Sequence, residues 1–381
     1  MSAKVRLGDY IQEYSVRNKG NENIPVFSVT NTQGFCQDYF GKEVASKDKS
    51  TYKIVPRGYF AYNPSRINVG SIDWQRNENR VIVSPLYNVF AVSPQLNQQY
   101  LYYYLKSDYA LQRIRTVARG SVRDNLKFEM LCEFPIYLPD LSKQKEIVWI
   151  LDQAKRIISL RTSQIQLLDN LIKARFVEMF GDPATNPIHW DETTVGKECC
   201  YIKDGPHKSL PDIGKENGGH PFISVRNIVN HVIDFTTARY ISDEDYKEAR
   251  KKCCPEKGDM LYSKGGTTGI AKLIDVDIEF ANWVHLAVLK FDKEKLNGLF
   301  FENMFNCDYC YDQSQKLTKG IANRDLVLSA MAQIKMYRPP KSLQDEFATF
   351  VQQVDKSKIV VQKALDKAQL LFDGLMQKYF G

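Results

Sequence analysis

The sequence predicts an α+β chain: two pseudo-two-fold related, strand-rich modules joined by two long helices that pair as an antiparallel coiled coil. Three observations carry this expectation. The stretch "YLPDLSKQKEI" at 137–147 returns as "YRPPKSLQDEF" at 337–347. Each copy leads into a run whose apolar residues follow four-three spacing, the period of a coiled-coil seam. The remainder of each half holds short apolar runs bounded by turn residues, as strands do.

The duplication sets the order of the elements. At an offset of 200, Gly120 matches Gly320, Leu126 matches Leu326, Pro139 matches Pro339, and Gln144 and Glu146 match Gln344 and Glu346. The register continues to Phe180-Gly181 and Phe380-Gly381, so each unit finishes on the same dipeptide. Earlier in the units, "IPVFSVTN" (24–31) resembles "HPFISVRN" (220–227) at a slightly different offset, as small insertions would produce. Runs such as "RVIVSPLYNVFAV" and "WVHLAVLKF" read as strands, with helical stretches near 97–116 and 296–316.

The tail of each unit is the long helix. Its expected seam is Ile147, Leu151, Ala154, Ile158, Ile165, Leu168 and Ile172 in the first copy. In the second it is Phe347, Val351, Val354, Val361, Leu365, Ala368 and Phe372, continuing to Leu375 and Tyr379. Arg161 and Lys358 interrupt the two seams near their middles. A helix of ~35 residues extends ~50 Å, well past the reach of its own module. The first helix must deliver the chain to the second module and the second has nowhere to go but back, hence an antiparallel pair. In the repeated proline-to-glutamate stretch, Ser142 or Ser342 is the expected N-cap, with Glu following in the positive first turn.

Composition bounds the rest. With 381 residues, 43% hydrophobic and 25% charged, the chain has room for two or more domains. The start lacks an apolar leader and no run is long enough to span a membrane, so a cytoplasmic location is expected. The eight cysteines read as reduced thiols. The formal charge of +7 favours a polyanionic partner. By segment the charge is +5 for 1–140, +3 for 141–181, −2 for 182–340 and +1 for 341–381.

Two similar but diverged modules held apart by a rigid strut describe a reader of split DNA sites. Equivalent groove faces recur about one turn apart, ~34–36 Å. Unlike modules would read unlike half-sites and leave the base pairs between them unread.

"ARGSVRDNLKFEMLCEFPIYLPDLSKQKEI", "FVEMFGDPATNP" and "IKDGPHKSLPD" followed by "GHPFISVRNI" resemble the specificity subunit of type I restriction-modification systems over essentially the whole chain. The resemblance implies target recognition domains at 1–140 and 182–340 and conserved helical spacers at 141–181 and 341–381. It implies a non-catalytic subunit that binds double-stranded DNA and two modification (methyltransferase) subunits, with restriction/translocase subunits in the full complex. S-adenosylmethionine, ATP and Mg then belong to the partner subunits, and none is bound by this chain. The first module departs from the pattern, with "YSVRNKGNENIP" where the second has Asp-Gly-Pro-His.

The residues agree with a chain that does no chemistry itself. No Asn-Pro-Pro-aromatic tetrapeptide is present to hold a target amine; "YNPSR" at 62–66 lacks the second proline. "SKGGTTG" at 263–269 lacks the Gly-Lys-Ser/Thr ending of a phosphate loop and reads as a binding-loop turn. Cys199-Cys200, Cys253-Cys254 and the Cys307/Cys310 pair offer at most half a zinc site, so buried thiols are expected and no metal.

The DNA-facing candidates are loop residues whose geometry suits base edges and phosphates. In the first module they are Arg17, Asn18 and Lys19; Tyr62, Asn63, Arg66 and Asn68; and Arg119, Ser121 and Arg123. In the second they are Lys203, His207 and Lys208; Arg226 and Asn227; Ser263, Lys264, Thr267 and Thr268; and Lys319, Asn323 and Arg324. Two other readings stay open: a coiled-coil adaptor without DNA affinity, and the DNA-reading part of a fused restriction and methylation enzyme.

Overall fold

A computed structural model describes residues 4–37, 48–118, 125–229, 231–320 and 324–381. The chain divides into two units, residues 1–163 with 362–381, and residues 164–361.

Each unit is built on the same antiparallel four-stranded sheet. In the first the order is Ile11–Glu13, Asn88–Val92, Phe60–Tyr62, Ile72–Trp74. In the second it is Cys199–Asp204, Leu286–Phe291, Met260–Ser263, Ala271–Leu273. Alternate side chains enter two different cores, as strand geometry dictates. Phe60, Tyr62 and Phe90 face the helical core, while Ala61 and Val89 face a smaller cluster with Val55, Val81 and Val83. The second module repeats this: Met260, Tyr262 and Leu289 face the helices, and Leu261 and Val288 face Ile223, Ile228 and Phe280. A sheet covered on both sides accounts for the near-continuous apolar runs.

The expected helical stretches are each two helices, Gln98–Lys106 with Asp108–Val117, and Gly298–Asn306 with Asp308–Leu317. Asn97 caps its helix by accepting from Tyr100 N at 3.0 Å, and Asn297 does so from Leu299 N at 2.9 Å. The break in the first pair is Ser107, whose hydroxyl starts the next helix by accepting from Ala110 N at 3.2 Å.

Each module is closed by pairing its first strand with its last. Lys4–Arg6 runs antiparallel to Pro135–Tyr137, and Glu192–Thr194 to Lys335–Tyr337. The duplicated tyrosine therefore ends a strand, and the long helix starts a few residues later.

The long helices are Leu141–Phe180 and Lys341–Phe380. Every expected seam residue is buried or half-buried. Within the second unit, Arg175 meets Glu346 at 3.0 Å and Asp169 meets Lys358 at 2.7 Å, so the two segments run antiparallel. Lys358 does not interrupt the seam: its ammonium leaves the apolar line to pair with Asp169.

The repeated Phe-Gly now has a reason. Phe180 ends the first helix inside the core of the second module, 4.9 Å from Phe300 and 5.5 Å from Phe347 between ring centres. Phe380 ends the second helix inside the first module, 5.1 Å from Tyr100. Each helix begins on its own module and plugs the other.

The expected serine caps are corrected. The first helix starts at Leu141 and its cap is Asp140, whose carboxylate accepts from Lys143 N at 2.9 Å. The second starts at Lys341, directly after Pro340. Ser142 and Ser342 lie within the first turn, exposed.

What the repeat preserves instead is a buried glutamine. Gln144 Nε2 donates to the Gln95 and Pro139 carbonyls and its Oε1 accepts from Asn97 N. Gln344 does the same with Lys295, Pro339 and Asn297. One amide thus ties the helix start, the strand exit and the cap of the preceding helix together.

Candidate nucleic-acid interface

In the second module, loops from three parts of the chain are stitched by main-chain hydrogen bonds at one end of the central sheet. Lys264 N donates to His285 O at 2.9 Å, Leu326 N to Lys264 O at 2.7 Å, and Gly266 N to Arg324 O at 3.1 Å. Lys264 holds the junction from inside. Its ammonium is buried and reaches Asp325 at 2.8 Å and Asp204 at 3.5 Å. Lys252 completes the cluster, 3.0 Å from Asp204. Because Asp204 precedes Gly205-Pro206-His207-Lys208, this network also fixes where the 205–208 loop leaves the sheet. His207, Lys264, Gly266, His285, Arg324 and Asp325 line a cleft of about 560 Å³.

Arg226 lies on a neighbouring turn that is rigidly held. Asn227 is buried and closes a capping box with Ser224, and its amide also donates to Asp234 O at 3.0 Å. Arg226 itself is exposed and donates to Thr237 O at 2.8 Å. The facing strand Arg239–Ile241 is anchored by Asp212, which accepts from Tyr240 N at 2.9 Å and Gly214 N at 3.1 Å. Those two amides hold the Asp212 carboxyl below its ordinary pKa.

The first module repeats part of the plan. Leu126 N donates to Pro64 O at 3.1 Å, the counterpart of the Leu326 to Lys264 bond. Asn63 and Arg66 line a cleft of about 460 Å³ together with Ser28, Thr30, Ser71 and Ser84. Tyr52 also lines it and accepts from Asn18 N at 2.9 Å, which brings the 17–19 turn alongside. Asn68 is half-buried, and its carbonyl accepts from Arg115 Nε at 3.3 Å.

The sequence-derived candidates therefore divide. Arg17, Lys19, Arg66, Lys203, His207, Lys208, Arg226, Thr267, Lys319 and Arg324 are exposed, and Asn63 and Asn68 are half-buried. Six candidates are buried and use their polar atoms within the module, which is a correction to the expectation that they face DNA. Asn18 braces its turn by bonding Glu22 in both directions. Tyr62 donates to Leu126 O and accepts from Asn88, Ser263 accepts from Ile270 N, and Asn227 closes the capping box. Lys264 neutralises two carboxylates, and Thr268 bonds Gln315, which also accepts from Arg324. Arg119, Ser121, Arg123 and Asn323 lie outside the described residues.

Ser28, Thr30, Ser71 and Ser84 in the first cleft, His285 in the second, and Arg239 and Trp283 in a small notch beside Arg226 are not among the sequence-derived candidates. Trp283 and His285 sit in a run that reads as strand and core, so nothing in their spacing marks them as surface. Their rings meet edge-on, 5.1 Å apart.

Among the described residues there is no cluster of three or more metal-ligating side chains, and no helix is long and apolar enough to cross a membrane. All eight cysteines are free. A hydrogen bond from Cys310 holds the Cys307 thiol below its ordinary pKa, and burial pushes Cys253 up to about 11.

Comparison with known proteins identifies the architecture. The family model for the type I restriction modification DNA specificity domain matches residues 4–170 and 194–369, one copy for each half of the chain. The chain belongs to that family. A specificity subunit from Methanocaldococcus jannaschii, that of the type I restriction enzyme MjaIX, is 23% identical over 295 residues, covering 74% of this chain and 67% of the relative. The crystal structure of the type I S subunit from M. genitalium superposes with a TM-score of 0.57 at 17% identity, covering 99% of this chain and 96% of that one. A chain solved in connection with complex assembly and conformational transition of the type I R-M system gives 0.58 at 16% identity, covering 99% and 97%. At such identities the structural likeness concerns the fold. This specificity subunit shares it along its whole length, two modules and two long helices included.

Proposed function

We propose that this specificity subunit reads double-stranded DNA as a bipartite, asymmetric target, one half-site per module, and carries out no catalysis itself. It positions two modification subunits that bring S-adenosylmethionine and methylate adenine, with restriction/translocase subunits, using ATP and Mg, joining the full complex. The assembly works in the cytoplasm. One observation carries the reading: both modules present loops at the same end of the same sheet, anchored by the equivalent Leu126 to Pro64 and Leu326 to Lys264 bonds, yet with different side chains. Shared scaffold with diverged loops is how recognition is varied without rebuilding a fold. The exposed Arg, Lys, His and Asn side chains supply donors for phosphate oxygens and base edges.

The test is to express the chain with its cognate modification subunit and map methylated adenines across the host genome. Two short half-sites of different sequence at a constant spacing are expected. Methyl transfer by the purified chain alone would favour the fused-enzyme alternative. Absence of salt-dependent duplex binding would favour the adaptor.

A further inference from the structure

The two modules differ at one equivalent place. The repeated stretches "IPVFSVTN" and "HPFISVRN" align Val26 with Phe222 and Thr30 with Arg226. The structure supports that alignment independently. Val26 bridges Ile82 in parallel, and Phe222 pairs with Ala281 in parallel, both rare orientations in otherwise antiparallel modules. Two residues beyond these partners stand Ser84 in the first module and Trp283 in the second.

At this place the first module has its cleft of about 460 Å³, with the hydroxyls of Ser28, Thr30, Ser71 and Ser84 in its wall. In the second, Trp283 and Arg226 replace Ser84 and Thr30, and what remains is a notch of about 90 Å³ lined by Phe222, Ser224, Arg226, Arg239 and Trp283. Arg239 lies over the indole, 5.7 Å from its centre. Trp283 Nε1 is a buried donor with no hydrogen-bond partner among the described residues.

The chemistry of the two places therefore differs. Hydroxyls donate and accept, and Asn63 and Arg66 add an amide and a guanidinium, so the first cleft suits either sort of base edge. Guanidinium and indole groups only donate, and the Ser224 hydroxyl is taken up by Asn227, so the second notch selects a ligand that offers acceptors side by side. In the major groove that ligand is guanine, whose O6 and N7 match an arginine fork; adenine and cytosine place an amino donor there. The platform is rigid, since Arg226 is steadied by Thr237 O on a turn capped by Ser224 and Asn227, and the Arg239 strand is anchored by Asp212. A group held this way contributes to discrimination rather than to general attraction.

We propose that the position shared by Ser84 and Trp283, together with that shared by Thr30 and Arg226, sets what each module reads, and that Arg226 and Arg239 around Trp283 take a guanine edge in the second module's half-site. This rests on the reading of the chain as a bipartite DNA reader.

The experiment is genome-wide mapping of methylated adenines with the full chain and its cognate modification subunit, for the unaltered protein and for Arg226→Lys, Arg239→Ala and Thr30→Arg. Arg226→Lys keeps the charge and the fold but loses the fork. The expected result is a guanine in one half-site whose preference over other bases falls about 5- to 100-fold in Arg226→Lys or Arg239→Ala. The other half-site and the spacing stay as they were. Thr30→Arg is expected to alter that other half-site instead. Unchanged half-sites in the variants would overturn the proposal, as would an equal loss on all sequences, the mark of a phosphate contact. An unaltered protein that directs no bipartite methylation would overturn the underlying reading as well, which separates the two failures.

Discussion

Gln144 and Gln344 show how a single side chain explains a repeated motif. Each is buried, and each satisfies one backbone N–H and two carbonyls that have no other place to go once the helix start is packed. Gln344→Met keeps the volume but leaves those groups unpaired, so a loss of about 2–4 kcal/mol is expected in urea unfolding. Lys264 makes the complementary point. Lys264→Met leaves half-exposed Asp325 without its cation and well-buried Asp204 with Lys252 alone, and a cost of about 1–3 kcal/mol is expected, discounted for the exposed partner. Cognate and scrambled duplexes are expected to lose affinity equally, because the residue supports the loops from beneath. Arg66→Ala, at an exposed residue, should leave stability within about 0.5 kcal/mol and act only on DNA binding.

The start and end of each helix matter most among the elements. Asp140 caps the first helix, so Asp140→Ala is expected to cost about 1 kcal/mol. Ser142→Ala, in the exposed first turn, should cost little; equal costs in chemical denaturation would contradict the assigned cap. At the other end, Phe380→Ala removes a buried ring from the core of the first module and is expected to cost about 3–5 kcal/mol. Amide exchange should quicken around Tyr100–Leu105 rather than around Phe300–Phe305, since Phe180 serves the latter. The strand Arg239–Ile241 gives a pH test. The Asp212 pKa is lowered on folding by the amides of Tyr240 and Gly214, so its stabilisation is complete above the unfolded value, about pH 4, and fades as pH falls through the folded one. Asp212→Asn should therefore differ from the unaltered protein at pH 6 and converge with it in acid, read from urea midpoints across pH.

At the scale of the whole molecule, duplication with divergence separates what is conserved for folding from what is free for recognition. Both sheets, both helix pairs and both closing strand pairs follow one plan. The loops at the same end of each sheet do not. Duplex binding by the chain is expected to weaken with salt, with a log–log slope of about −0.9 per phosphate contacted. Removing exposed Lys203 or Lys208 should shallow that slope by about one unit each if they meet phosphates, with no change in which sequence is preferred.

Periodicity and repetition, read from the residues alone, determined the two modules, the two long helices and their seam. These features are written as patterns of apolar residues, and burial enforces such patterns at every turn. Only the tertiary structure decided which polar residues face outward. Tyr62, Lys264 and Asn227 look like ligands for DNA in a list of loop residues, yet each closes a hydrogen-bond or charge balance inside its module. Trp283 looks like core, yet it forms the wall of a surface notch. A polar side chain's role depends on the partner that reaches it from a distant part of the chain, as Asp325 reaches Lys264, and local spacing carries no record of that meeting.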